Sequence, residues 1–317
     1  MTLALATAFP FAASAASAEW QPKNPIKILV PYSAGGAADL ATRAVAPEMS
    51  KRLGVPVVVE NATGGAGAIG MAKLASSKPD GYTLIYTSMG AATLTPIRSN
   101  VGYTNKEFTP LAQMVNMPCY IVVHKDSGIK SLPELLAKAE KGETVTYGTA
   151  GAGLIQNTHM EAMLLAIKKP GLLVHVPFNG GSQAVAALLG KQIDAAMCVM
   201  PEILPQVKNG TFVALATSYA ERDPALPDVP AFPELGYPGY GGGWQGFAAP
   251  ANMPAPIVER LDSVLKEISG LPEVIDVFTK LGNPIRFIGH KEFTEQWMRD
   301  YETNKEVIAE LLKHQKK

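Results

Sequence analysis

Short apolar runs alternate with small-residue loops and helix-period segments along most of this chain. Ile26, Ile28, Leu29 and Val30 read as a strand buried on both faces, and Pro31 stops it. Tyr32, Ser33, Ala34, Gly35 and Gly36 then make a small-residue turn. From Ala37 the period becomes helical, with Leu40, Ala44 and Val45 on one side. The theme repeats: strand 55–60, glycine loop 61–70, small-residue helix 68–76, a Pro79-Asp80-Gly81 turn, strand 82–86 and the polar loop Thr87-Ser88-Met89-Gly90. Alternation of this kind predicts βαβ units on a parallel sheet, with ligands beyond the carboxyl ends of the strands. All three loops follow strand ends, so they converge on one edge.

Two more extended runs follow within 108–124, and then a helix over 131–141. Ser131 is its N-cap, Pro133 lies in its first turn and Glu134 completes a capping box. The strand–loop–helix theme then restarts: strand 144–147, the loop GTAGAG over 148–153, helix 154–168, strand 173–176, the loop Pro177-Phe178-Asn179-Gly180-Gly181, a helix through Leu189, and strand 193–200 containing Asp194. Strand 212–217 is next. The Pro- and Gly-rich stretch 223–240 reads as an irregular connection, and 241–250 as a crossing back between two lobes. Helices 258–268, 272–281 and 293–313 close the chain, the last packing through Trp297, Tyr301, Val307, Ile308 and Leu311.

Length supports two lobes, since at 317 residues the chain exceeds the roughly 250–300 at which single cores stop growing. Lys+Arg and Asp+Glu are both 28, and no basic stripe is visible, which argues against a nucleic-acid partner. An anionic ligand must then be held by local dipoles rather than by a global field. Residues 1–18 read as a secretory signal peptide without a basic start, ending in Ala16-Ser17-Ala18 before Glu19, so the mature protein is expected to be exported. Cys119 and Cys198 both sit in apolar segments. Buried thiols are favoured over a disulfide.

Several motifs resemble catalytic or cofactor signatures and fall short. Gly65-x-Gly67-x-x-Gly70 follows a strand and opens a helix, but the strand over 82–86 ends in Thr87-Ser88 without the acidic residue a dinucleotide site needs. The remaining reading is a tight loop that packs or lines a cleft, and no cofactor is expected. Ser33 sits where a nucleophile elbow would, but Pro31 replaces the first glycine of G-x-S-x-G. His159-Met160-Glu161 begins like a zinc deaminase but has no following P-C-x-x-C, and the other histidines lack ligand spacing, so no metal is expected. His159 stays open between a cleft hydrogen-bonder and an ordinary histidine. Asp39, in the first helix turn, reads as a charge–dipole contact or a ligand contact. Asp194 reads as a capping residue or a ligand contact.

The collective signal is stronger: PYSAGG, GTAGAG and PFNGG all follow strands, open helices and carry almost no charge. Helix starts present unpaired N–H groups and partial positive charge, a fit for a carboxylate. With VVVENATGGAGAIG, KPDGYTLIY, HVPFNGG, ALATSYAERDPALPDVPAFPELGYPG and WQGFAAPANMPAPIVERL, in order from about Pro25 to the C-terminus, the chain resembles the extracytoplasmic solute-binding proteins of tripartite tricarboxylate transporters, the Bug family. The resemblance implies a two-lobed periplasmic-binding-protein-like α/β fold of type II. Each lobe is a mostly parallel sheet flanked by helices, and a small carboxylate is held between them. It places lobe 1 at 23–122 and 248–317 and lobe 2 at 123–247. It also implies a non-enzymatic, monomeric receptor that hands its ligand to membrane permease subunits.

Carried over by position, Ser33, Ala34, Gly35 and Gly36 grip the ligand from one lobe, and Thr149, Ala150 and Gly151 from the other. Phe178, Asn179 and Gly180 complete the pocket, beside Tyr32 and Ser88. The family often has Tyr-Lys where this chain has Phe178-Asn179. That loss of a cation and a hydroxyl favours a mono- or dicarboxylate, aromatic ones included, over a tricarboxylate. The alternative from another class is a secreted α/β hydrolase using Ser33.

Overall fold

The computed structural model describes residues 20–152, 154–178 and 180–314. The expected signal peptide, Gly153, Asn179 and the side chain of Leu311 lie outside the described residues. The first lobe opens with β1 (Ile26–Val30), α1 (Ala37–Leu53), β2 (Val57–Asn61), α2 (Ala68–Ala75), β3 (Thr83–Ser88), the single-turn α3 (Thr95–Arg98) and β4 (Phe108–Val115). The second lobe contains β5 (Cys119–His124), α4 (Leu132–Glu140), β6 (Thr146–Thr149), α5 (Ile155–Ala166), β7 (Val174–Pro177), α6 (Gly181–Leu189), β8 (Ala195–Val199), α7 (Met200–Lys208) and β9 (Phe212–Thr217). The chain then returns to the first lobe for β10 (Gln245–Pro250), α8 (Ala255–Ser269), α9 (Pro272–Lys280), β11 (Ile285–Ile288) and α10 (His290–His314).

Two sheets result, ordered β11-β4-β10-β3-β1-β2 and β7-β6-β8-β5-β9. Each is mixed. The βαβ portions are parallel (β2, β1 and β3; β7, β6 and β8), and the strands next to the lobe crossings enter antiparallel. The crossings fall at 116–118 and 241–244, a few residues before the expected 122/123 and 247/248 boundaries, so β5 and β10 remain whole. Strand β11 has no apolar run of its own. Its four residues are only half-buried, which is why periodicity does not reveal it.

Each sheet is covered on both faces. In the first lobe α1 and α8 pack on one side through Val45, Met49, Leu261 and Leu265. On the other, Met71, Leu74, Phe293 and Trp297 enclose Trp244, whose ring stacks on Trp297 at 4.6 Å. Trp297 and Ile308 of the closing helix are buried, and Tyr301 and Val307 half-buried. In the second lobe, antiparallel β5 and β8 set Cys119 opposite Val199 and Tyr120 opposite Cys198. The two cysteines therefore face opposite sides of the sheet, in separate core clusters, and both are free thiols.

The crossing segments bind each other closely. Gly243 N donates to Met117 O at 2.9 Å, and Asn116 Nδ2 donates to Tyr219 Oη at 2.7 Å. Gly242 admits no side chain, because a Cβ there would lie 1.8 Å from Asn116 Oδ1. Nearby, Arg286 of β11 forms an ion pair with buried Asp223 of the second lobe, which also accepts a hydrogen bond from Tyr120 Oη.

Candidate functional site

The PYSAGG turn joins β1 to α1, and its shape is fixed from within. Gly35 has φ +77°, a conformation that favours glycine, and Gly36 N donates to Ser33 O. No side chain caps α1 at Gly36. Asp39 reaches back instead: Oδ2 accepts from Gly35 N at 2.9 Å, both oxygens accept from Arg43 Nε, and Oδ1 accepts from Asn61 Nδ2 at 2.9 Å. Asn61 Nδ2 also donates to Tyr32 O. The Arg43 guanidinium holds the Asp39 carboxyl down at about 2, with Gly35 and Asn61 adding to the effect. Asp39 thus braces the loop. Gly35 and Gly36, expected as N–H donors, are already engaged. Among the described residues the exposed donors of this loop without an internal partner are the N–H groups of Ser33, Ala34 and Ala37. The Ser33 hydroxyl likewise has no partner among them, so the base that a nucleophilic serine requires is missing.

Beside this loop lies a cleft of about 630 Å³ with walls from both lobes. Tyr32 and Ser88 line it, their hydroxyls hydrogen-bonded at 2.5 Å. Burial pushes the Tyr32 phenol up, so it stays neutral. The apolar walls are Ala68, Ala91, Leu94, Val101 and, from the second lobe, Leu154. Arg98, at the end of α3, is the sole charged residue of the lining. Its Nη2 donates across the cleft to Thr158 Oγ1 at 3.2 Å. Arg98 was not legible as a site residue: α3 is one turn that follows a π-helical stretch, Gly90–Leu94, and neither has a recognisable period.

The Gly65-x-Gly67-x-x-Gly70 motif has a packing role. A Cβ on Gly67 would lie 2.6 Å from Ala91 Cβ, and one on Gly70 would lie 2.8 Å from Pro31 Cβ. The glycines let α2 close onto the end of β1, and Gly65 and Ala66 line the cleft mouth.

The second-lobe loop contributes Ala152 and Leu154 to the cleft lining. Thr149 is fully buried, and its Oγ1 bonds His175 Nε2 at 2.8 Å and Gly151 N at 3.3 Å, so its hydroxyl shapes the loop. Ala150 and Gly151 follow at the carboxyl end of β6. Phe178 packs on Gly148, and Gly180, with φ +135°, is the N-cap of α6. Two expected residues stand apart. Asp194 precedes β8 at the opposite end of the sheet, bonded to Thr146 N and Oγ1 and to Lys138 Nζ. The capping alternative describes it. His159 is buried against Tyr240, stacked at 4.9 Å, with Nδ1 bonded to Ser218 Oγ. Burial lowers its pKa to about 3, so it is neutral. It faces a separate cavity of about 280 Å³ behind the crossings, together with Asp300, Gln296 and Tyr219. Glu161, its neighbour in sequence, is taken by Tyr147 Oη. Among the described residues no cluster of His, Cys, Asp and Glu has the makings of a metal site.

Comparison with known proteins agrees with this geometry. A family profile described as "Tripartite tricarboxylate transporter family receptor" matches residues 41–311. A UPF0065 protein in the TAR-I ttuE-ttuC' intergenic region of Agrobacterium vitis is 35% identical over 283 residues, 88% of this chain and 81% of that one. Protein BugT of Bordetella pertussis is 30% identical, covering 85% of this chain and 84% of its own. Among solved structures, a ligand-free TctC solute-binding protein from Polaromonas superposes with a TM-score of 0.86 at 27% identity, over 91% of this chain and 99% of that one. MatC from Rhodopseudomonas palustris with bound malate gives 0.66, also at 27% identity, over 90% and 99%.

Proposed function

Because the chain belongs to the tripartite tricarboxylate transporter receptor family, a family of periplasmic solute receptors and not of enzymes, we propose that it captures a small carboxylate in the interlobe cleft. In this reading the lobes close on the ligand and the loaded protein delivers it to the permease subunits of a tripartite transporter. One observation carries the proposal. The cleft lining has one cation and no carboxylate, and the adjacent start of α1 presents unpaired N–H groups at Ser33, Ala34 and Ala37. A carboxylate there gains charge-assisted hydrogen bonds of about 1.5–3 kcal/mol each. A few suffice for micromolar affinity, about −8 kcal/mol, after ordering costs.

In this reading ligand contacts to both lobes favour a closed arrangement over an open one.

Calorimetry of the full chain against a panel of mono- and dicarboxylates tests the proposal, with Ala152→Trp placed to fill the cleft from its second-lobe wall. At least one carboxylate is expected to bind the wild type without turnover and to lose binding in Ala152→Trp. Carboxylate binding that survives this substitution unchanged places the ligand elsewhere and refutes the cleft.

A further inference from the structure

Most arginines of this protein are paired with an acid, and Arg260 donates to the Arg52 carbonyl. Arg43, Arg52, Arg222, Arg286 and Arg299 each meet a carboxylate, on Asp39, Glu48 and Glu267, Glu234, Asp223 and Glu295 respectively. Arg98 meets none among the described residues. Its one hydrogen bond there is to a neutral hydroxyl, Thr158 Oγ1, which already donates to Leu154 O. The guanidinium carries five donors in a planar fork suited to a carboxylate. The cleft walls partly desolvate it, which pushes its pKa down, and a cation so placed is stabilised by an anion that shares its surroundings.

The rest of the lining bears on the chemistry of that anion. Thr95, whose hydroxyl donates to Gly90 O, and Ser99 also line the cleft, and the other walls, Ala91, Leu94, Val101 and Leu154 among them, offer no side-chain donor or acceptor. A hydroxylated or amino-substituted ligand backbone would lose water there without replacement, whereas methylenes or a ring would not. The cleft therefore combines a pair of neutral hydroxyls, mostly apolar walls and a single cation.

We propose that Arg98 is the specificity-determining residue of this cleft, anchoring a second acidic group and selecting a dicarboxylate with an apolar spacer over the corresponding monocarboxylate. This rests on the cleft reading above and adds to it which groups of the ligand are recognised and where. The first carboxylate lies by the α1 loop, and the second on Arg98 beside Thr158. Since Arg98 and Thr158 belong to different lobes, the second carboxylate also joins the two walls.

Matched acids test it by calorimetry on the full chain: adipate against hexanoate, and terephthalate against benzoate. At least one diacid is expected to bind wild type about 10- to 100-fold more tightly than its monoacid, the range of one charge-assisted pair in a partly desolvated site. Arg98→Met is expected to bring the two within about threefold, chiefly by weakening the diacid. Arg98→Lys, which keeps the charge and loses the fork, is expected to fall between them. A diacid preference that persists in Arg98→Met overturns the assignment, and so does equal affinity in wild type or a failure of both diacids to bind. In those cases, monoacid binding that is still abolished by Ala152→Trp leaves the cleft reading standing. Monoacid binding that ignores Ala152→Trp removes both. Matching unfolding midpoints for wild type and Arg98→Met show that a lost preference is not a lost fold.

Discussion

Replacing Asp300 by asparagine is expected to stabilise this protein at neutral pH. Asp300 lies on α10 behind the lobe crossings, where Oδ2 accepts from Trp244 Nε1 at 2.8 Å. Burial pushes its carboxyl up to about 6, against a usual 3.8, and the hydrogen bonds from Trp244 and Gln296 and the Arg299 charge only partly offset this. An acid raised in the folded state binds its proton more tightly there than in the unfolded chain. Its contribution is therefore neutral below about pH 4 and turns unfavourable as pH rises through the window from 3.8 to about 6. A rise of 2.2 units, from 3.8 to about 6, at 1.36 kcal/mol per unit sets a ceiling of about 3 kcal/mol at pH 7. Asp300 is only half-buried and borders the 280 Å³ cavity, so water reaches it and the expected gain is about 1–2 kcal/mol. Asparagine keeps an oxygen for the Trp244 N–H. Urea unfolding at pH 7.5 and pH 4.0 is the assay: Asp300→Asn should be more stable than wild type at pH 7.5, and the difference should vanish at pH 4.0. Equal destabilisation at both pH values would falsify the argument, because it would mean that the ionised carboxylate is at home in the fold.

Two further outcomes follow from the cleft's supports. Asp39 behaves oppositely to Asp300: its carboxyl is held near 2, so its stabilisation is complete above about pH 5 and is lost as pH falls through 4 towards 2. With Arg43 48% exposed, solvent screening reduces its worth to about 1 kcal/mol. Asp39→Asn should therefore lower stability by that amount at pH 7 and flatten the acid limb of a pH–stability curve; an unchanged limb counts against the brace. Gly67→Ala forces a side chain onto φ +94° and a Cβ to within 2.6 Å of Ala91, so thermal unfolding should show a loss of about 1–3 kcal/mol; a wild-type midpoint contradicts the packing role.

The two-lobed plan was legible because both halves repeat strand, small-residue loop and helix, a pattern carried by local periodicity. The α1 loop was legible for the same reason. What its glycines do was not. Gly35 N is turned onto Asp39, a contact set by the path of the loop and by Asn61 from another strand. Thr149, His159 and Asp194 were candidates by residue type, but each is absorbed by a partner distant in sequence: His175, Ser218 and Thr146. Arg98 was missed because its significance is relational. It lies in the cleft, and among the described residues no acid lines that cleft.

The first sheet carries a consequence for the order of events during synthesis. Strand β10 lies between β3 and β4, so the first four strands of the chain cannot form a continuous sheet until residues near 250 have been made. The second sheet, by contrast, is contiguous over 119–217 and can assemble as a unit. The amino-terminal lobe is thus the last to be completed although it is the first to be translated. A chain wired this way keeps its leading lobe unfinished until most of the polypeptide exists.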